Sequence, residues 1–166
     1  MPDLTPFEKL QPCLLDRLTD EAPGRAVEGR SERVISLARY KEAVIRDLLW
    51  LFNTTAHPPD SEIYQFPEAA SSVMNYGCRS LCGLTLGSID LLEWERHLLT
   101  ILRNFEPRII PQTASVRASV DQWSRNPLSF DIRGELWAKP IPEQIWLKTA
   151  VDMDTGRFLF GDRLHE

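Results

Sequence analysis

The chain has 166 residues, 43% of them hydrophobic and 26% charged, with 19 basic and 24 acidic side chains for a net charge of −5. These proportions describe a soluble globular domain and exclude wholesale disorder and a collagen-like repeat. The charges are spread along the chain with no basic block, which argues against a nucleic-acid binder that works by neutralising phosphates.

Residues 1–36 mix Pro2, Pro6, Pro12 and Pro23 with Gly24, Gly29 and many charges, which predicts a mobile N-terminal arm. Within it, Cys13-Leu14-Leu15-Asp16-Arg17-Leu18 can make about a turn and a half of amphipathic helix, too short to stand alone. Such a segment docks either on its own domain or on a partner. From Ser36 to Asn53 the period is helical, with Leu37, Tyr40, Val44, Leu48, Leu51 and Phe52 forming one apolar stripe. Trp50 falls on the opposite side of that helix, so it is either covered by the arm or exposed as an interface anchor.

The stretch from Thr54 to Gly87 is broken by Pro58-Pro59, Pro67, Gly77 and Gly83. A short helix is expected from Glu68 to Val73, followed by an Asn75-Tyr76-Gly77 turn with a left-handed-tolerant residue at each end. A second long helix opens at Asp90, where Asp90 and Glu93 have capping-box spacing. Leu91, Trp94, Leu98, Ile101, Leu102 and Phe105 form its apolar face, and Pro107 ends it at Glu106.

Beyond Pro111 the period falls to two. Ala114 to Val120, Leu128 to Leu136 and Ile145 to Met153 alternate, with a turn at Arg125-Asn126-Pro127. Asp154-Thr155-Gly156 is a hairpin turn leading to Phe158 and Phe160. The expected fold is α+β: two main helices packed on a three- to four-stranded antiparallel meander. The expected division is an arm (1–36), one domain (37–160) and a tail (161–166).

Candidate chemistry is sparse. Cys13, Cys78 and Cys82 lack redox or zinc spacing and His57, His97 and His165 are scattered, so free thiols in a reducing cytoplasm, no metal and no cofactor are expected. No apolar run approaches the length of a membrane span. Only four of the bases, Lys9, Lys41, Lys139 and Lys148, are lysine, and arginine suits contact surfaces. The distinctive piece is Asn104-Phe105-Glu106-Pro107-Arg108. A carboxylate at a helix C-terminus faces the negative end of the dipole, and Arg108 is the nearest compensating charge.

Five stretches in order carry a family resemblance: Leu14 to Leu18; Arg46 to Thr54; Ser72 to Gly77; Phe105-Glu106-Pro107-Arg108; and Asp154 to Phe158. Together they resemble TssE, the baseplate wedge subunit of type VI secretion systems, itself similar to the lysozyme-like wedge protein of contractile phage baseplates. The resemblance implies a structural role in the cytoplasm, assembled at the inner face of the cytoplasmic membrane through partners. Those would be the wedge subunits TssF, TssG and TssK, the sheath subunits TssB and TssC, and the hub spike VgrG. It implies partner-binding roles for Glu106, Pro107 and Arg108, and a sheet edge within residues 113–160 that meets the sheath. Further candidate contacts are Asn75, Tyr76, Gly77, Trp50, Leu14, Leu15, Arg17 and Leu18. On this reading Arg108→Glu abolishes assembly while the isolated protein stays folded. Two rivals are a peptidoglycan-cleaving glycoside hydrolase and a soluble adaptor of the same fold. The first needs two carboxylates at set spacing, one of them protonated. An arginine two residues away favours the opposite state, and no second carboxylate is tied to Glu106 by spacing.

Overall fold

The computed structural model describes residues 10, 12–19, 24, 35–121, 123–138 and 142–160. Most of the expected arm and all of the tail lie outside these residues. The elements run α1 (Leu14–Leu18), α2 (Leu37–Asn53), α3 (Pro67–Ala70), α4 (Leu91–Phe105), then β1 (Ser115–Val120), β2 (Leu128–Leu136), β3 (Glu143–Asp152) and β4 (Arg157–Phe160). The four strands form one antiparallel meander in the order β1-β2-β3-β4, and the fold is α+β as expected.

The helices begin where side chains can cap them. Ser36 accepts from the Arg39 N–H at the start of α2, and Asp90 accepts from the Leu92 and Glu93 N–H groups at the start of α4. The reciprocal half of the capping box does not form. Glu93 instead pairs with Arg79 at 2.7 Å. The α4 helix stops at Glu106, one residue before Pro107. The helix expected over Glu68–Val73 is shorter, ending at Ala70, with a 3-10 turn at Val73–Asn75.

Both long helices lie on one face of the sheet, α4 over β1 and α2 over β4. The inward positions Val116, Leu128, Phe130, Ile132, Ile145, Val151, Phe158 and Phe160 meet Val44, Leu48, Leu51, Phe52, Leu98 and Leu102 in one core. Phe52 packs on Phe158 and Phe160 with ring centroids 5.3 and 5.9 Å apart. Thr149 is the one polar residue at an inward strand position that is wholly buried among those described. Its hydroxyl answers the backbone of Phe130, so no polar atom is stranded there.

Candidate partner-binding site

The helix-ending motif folds onto itself. Glu106 is 3% exposed, and both its carboxylate oxygens accept from Arg108, Oε1 from Nε at 2.6 Å and Oε2 from Nη2 at 2.5 Å. The Arg108 backbone N–H adds a third bond to Oε1 at 3.2 Å. Pro107 makes this geometry possible by holding the chain in a tight bend, and is itself exposed. The residues that follow are tied to β2, with Trp137 N–H donating to the Arg108 carbonyl at 2.7 Å and Ile110 N–H to the Glu135 carbonyl at 2.8 Å. Gly134 is glycine because a Cβ there would lie 2.9 Å from the Ile109 side chain.

The pair extends into a chain of five charges. Arg108 Nη2 also reaches Asp47 Oδ2 at 2.7 Å. The other oxygen of Asp47 accepts from Arg46, which donates onward to Asp16 of α1 at 2.6 Å. Three carboxylates therefore alternate with two guanidiniums across α1, α2 and the end of α4. Burial opposes the charge on Arg108, but the Glu106 and Asp47 carboxylates outweigh it and hold the guanidinium more firmly protonated than usual. At Asp16 burial would raise the pKa. The Arg46 and Cys13 hydrogen bonds more than offset it and leave the carboxyl below its usual range.

This network decides how α1 sits. Its polar edge, Asp16, faces α2, while Leu14, Leu15, Arg17 and Leu18 are exposed. A second tie closes the segment further along, where Ile35 N–H donates to the Leu10 carbonyl at 3.2 Å. Trp50 is half exposed, at 49%, with the Arg46 guanidinium over its ring at 5.1 Å. It lines an open cleft of about 620 Å³ with Leu49, Asn53, Met153 and the turn residues Arg125 and Asn126. A half-exposed tryptophan backed by an arginine has the composition of a protein contact surface.

Asn75, Tyr76 and Gly77 are placed differently from the expected turn. Asn75 has no left-handed backbone, and its side-chain amide spans two loops, accepting from His57 N–H and donating to the Ala70 carbonyl. Gly77 has φ +132°, and a Cβ there would lie 2.4 Å from the Thr54 carbonyl oxygen. The close approach lets Cys78 exchange backbone bonds with Thr54 and Ala56. Tyr76 packs edge-on against Phe105, next to the charge chain. The motif thus braces the loop that follows α2 against the C-terminal end of α4.

Residues 38–141 match the family model of the baseplate wedge protein gp25. The chain belongs to that family. The matched span takes in nearly all of α2, the Asn75-Tyr76-Gly77 brace, α4 and the Glu106-Pro107-Arg108 bend, and so four of the five charges of the chain; Asp16 of α1 lies before it. No curated protein and no solved structure matches the chain. Membership makes this a structural component of a phage-tail-like baseplate that contacts other baseplate components. No described helix is long and apolar enough to cross a membrane.

Sequence reasoning found Glu106 and Arg108 but missed Asp47, Arg46 and Asp16 as their partners. A signal was present: Arg46-Asp47 places two opposite charges beside the buried Val44–Leu48–Leu51 stripe, where a lone charge would be costly.

Proposed function

We propose that this wedge-family chain is the TssE-type joint of a type VI secretion baseplate, linking TssF, TssG, TssK and the VgrG hub to the first TssB–TssC sheath ring. The observation that carries the reading is the charge chain, which ties α1 and the Glu106-Pro107-Arg108 bend together through α2. Leu14, Leu15, Leu18 and Pro107 are exposed on the elements it joins. A partner meets those groups and the rim of Arg108; the Glu106 carboxylate is turned inward and contributes by fixing the bend. The same geometry favours a structural role over glycoside cleavage, because both oxygens of Glu106 are engaged by a guanidinium.

The sheath contact is assigned to one part of the sheet. On β1 the Ala118 N–H donates to Glu95 Oε1 of α4 at 2.8 Å, so α4 covers that edge at its middle. On β4 the N–H and carbonyl of Phe158 are both taken by the side chain of Asn53, at 2.9 and 3.0 Å. Among the described residues β4 pairs only with Thr149–Asp152, and no described strand lies on that side of residues 143–148 of β3. A strand edge left unpaired is a template for strand addition.

Co-purification from cells expressing the wedge and sheath subunits tests the proposal. Leu14→Asp with Leu18→Asp alters exposed residues only and is expected to strip the chain from TssF and TssG. Retention at the wild-type level overturns the wedge surface. Peptidoglycan release by the purified chain that disappears in Glu106→Gln would overturn the structural reading. Stable binding to one partner in cells lacking all baseplate subunits would favour an adaptor.

A further inference from the structure

Residues 57–75, between α2 and α4, fold into a small knob of their own. The 3-10 turns Glu62–Gln65 and Val73–Asn75 both pack on α3, and these three elements contact one another more than they contact the long helices or the sheet. Local bonds fix its shape. Ser61 and Ser72 cap the two turns, the Tyr64 hydroxyl donates to the His57 carbonyl at 3.0 Å, and the Asn75 amide ties His57 to Ala70. Yet this short segment holds four large apolar side chains in the open: Tyr64 is 42% exposed, Phe66 63%, Met74 69% and Val73 81%. Apolar side chains exposed together on one compact segment mark an interaction surface, as singly scattered ones do not.

The charge around them is of one sign. Between Arg46 and Arg79 the chain carries Asp47, Asp60, Glu62 and Glu68 and no lysine or arginine. Asp47 belongs to the charge chain. Asp60, Glu62 and Glu68 are exposed and make no ion pair among the described residues. Apolar anchors set among unpaired carboxylates fit a surface that offers an apolar pocket and positive charge together. An anionic lipid surface or a nucleic acid repels them. A second copy of this chain is a poor match as well, with a net charge of −5 and no basic block.

We infer that the knob, residues 60–74, docks into an apolar pocket rimmed by lysine or arginine on another baseplate component. The inference rests on membership of the wedge family and is independent of the type VI assignment. Phe66 and Met74 enter the pocket, and Glu62 and Glu68 meet its rim. Because the knob's own hydrogen bonds already fix its shape, docking forfeits less conformational entropy than a floppy loop would lose.

The test uses the full chain purified together with the other baseplate components from cells that express them. Benzoyl-phenylalanine in place of Phe66 is photo-activated in that complex, and the cross-linked peptides are sequenced by mass spectrometry. The expected product joins the knob to a lysine- or arginine-bearing segment of another baseplate component. Phe66→Ser with Met74→Ser, and separately Glu68→Lys, change exposed residues only. Each is expected to lower recovery of that component at least about tenfold at about 0.15 M salt without lowering the melting temperature. Glu42→Lys, the same charge change at an exposed position of α2, is expected to leave recovery unchanged. A cross-link to residues 1–34 or 161–166 of the same chain, or to a second copy, overturns the assigned occupant. A cross-link to a segment without basic residues, or equal recovery of Glu68→Lys and Glu42→Lys, overturns the charge match. Absence of any cross-link overturns the docking itself. Loss of partners in Leu14→Asp with Leu18→Asp but not in the knob variants also overturns this inference, and leaves the wedge surface standing.

Discussion

Arg108 Nη2 lies 2.7 Å from Asp47 Oδ2, joining the end of α4 to the middle of α2 across 61 positions of sequence. Through this contact a helix-stopping bend becomes part of a tertiary clamp. Asp47 offers its second oxygen to Arg46, and Arg46 holds α1. The exposed five-residue helix α1 is thus tied to a buried glutamate 90 positions away in the sequence.

Because Glu106 is buried, Arg108 is a structural residue as well as a surface one. The expectation that Arg108→Glu leaves the isolated protein folded is therefore revised. That variant brings three carboxylates together and is expected to lose about 4 kcal/mol or more. Arg108→Ala leaves Glu106 unpaired at a cost of about 3–5 kcal/mol. Arg108→Lys is expected to fall between these and wild type, since an ammonium keeps the charge but not the fork. Urea unfolding of the three variants gives the order directly.

Asp16→Asn removes the link between α1 and Arg46, in a partly exposed setting. Global stability is expected to fall by less than about 1 kcal/mol. Amide exchange at Leu15 to Thr19 is expected to rise sharply, because this short helix has no buried residues of its own. Exchange unchanged in these residues would mean that α1 is held by something other than the ion pair.

Gly77→Ala meets both a left-handed backbone and a carbonyl oxygen 2.4 Å from the new Cβ. It is expected to cost about 3 kcal/mol or more. Gly83→Ala is the comparison, since φ is also positive there but no atom lies within 4 Å of the added Cβ. It is expected to cost only about 1 kcal/mol. Thermal melts of the pair separate steric contact from backbone strain.

His97 is held neutral chiefly by burial, with the Arg79 guanidinium adding to the effect, and its pKa is pushed down to about 4. Its Nε2 accepts the Arg79 backbone N–H at 3.3 Å. Between pH 6.5 and about 4 the unfolded chain binds the proton that the folded chain refuses. The contribution from His97 is thus complete above pH 6.5 and declines as the pH falls toward 4. His97→Gln, whose amide oxygen can accept the same bond, is expected to flatten that part of the stability profile in urea titrations.

Helix boundaries, the meander and the arrest of α4 were legible because each depends on local chemistry. Ser36 and Asp90 cap, Pro107 forbids the next turn, and alternation from Val116 to Phe160 can bury only one face. Local reading failed where a side chain had two possible partners. Glu93 had the spacing to close a capping box and paired with Arg79 instead, because a full charge outcompetes a neutral N–H. Asn75 read as a turn former and serves as a bridge between loops, since its amide has donors and acceptors that distant backbone can use.

The sequence by itself determined the fold class, the helix–helix–meander order and the motif at which α4 ends, since periodicity and backbone restriction act over a few residues. Tertiary structure alone decided that Glu106 turns inward, that α1 shows its leucines outward, and that Glu95 and Asn53 bond the outer backbone of β1 and β4. Each of those outcomes is a choice among partners far apart in the chain, made by which charges and backbone groups the packed core brings within hydrogen-bonding distance.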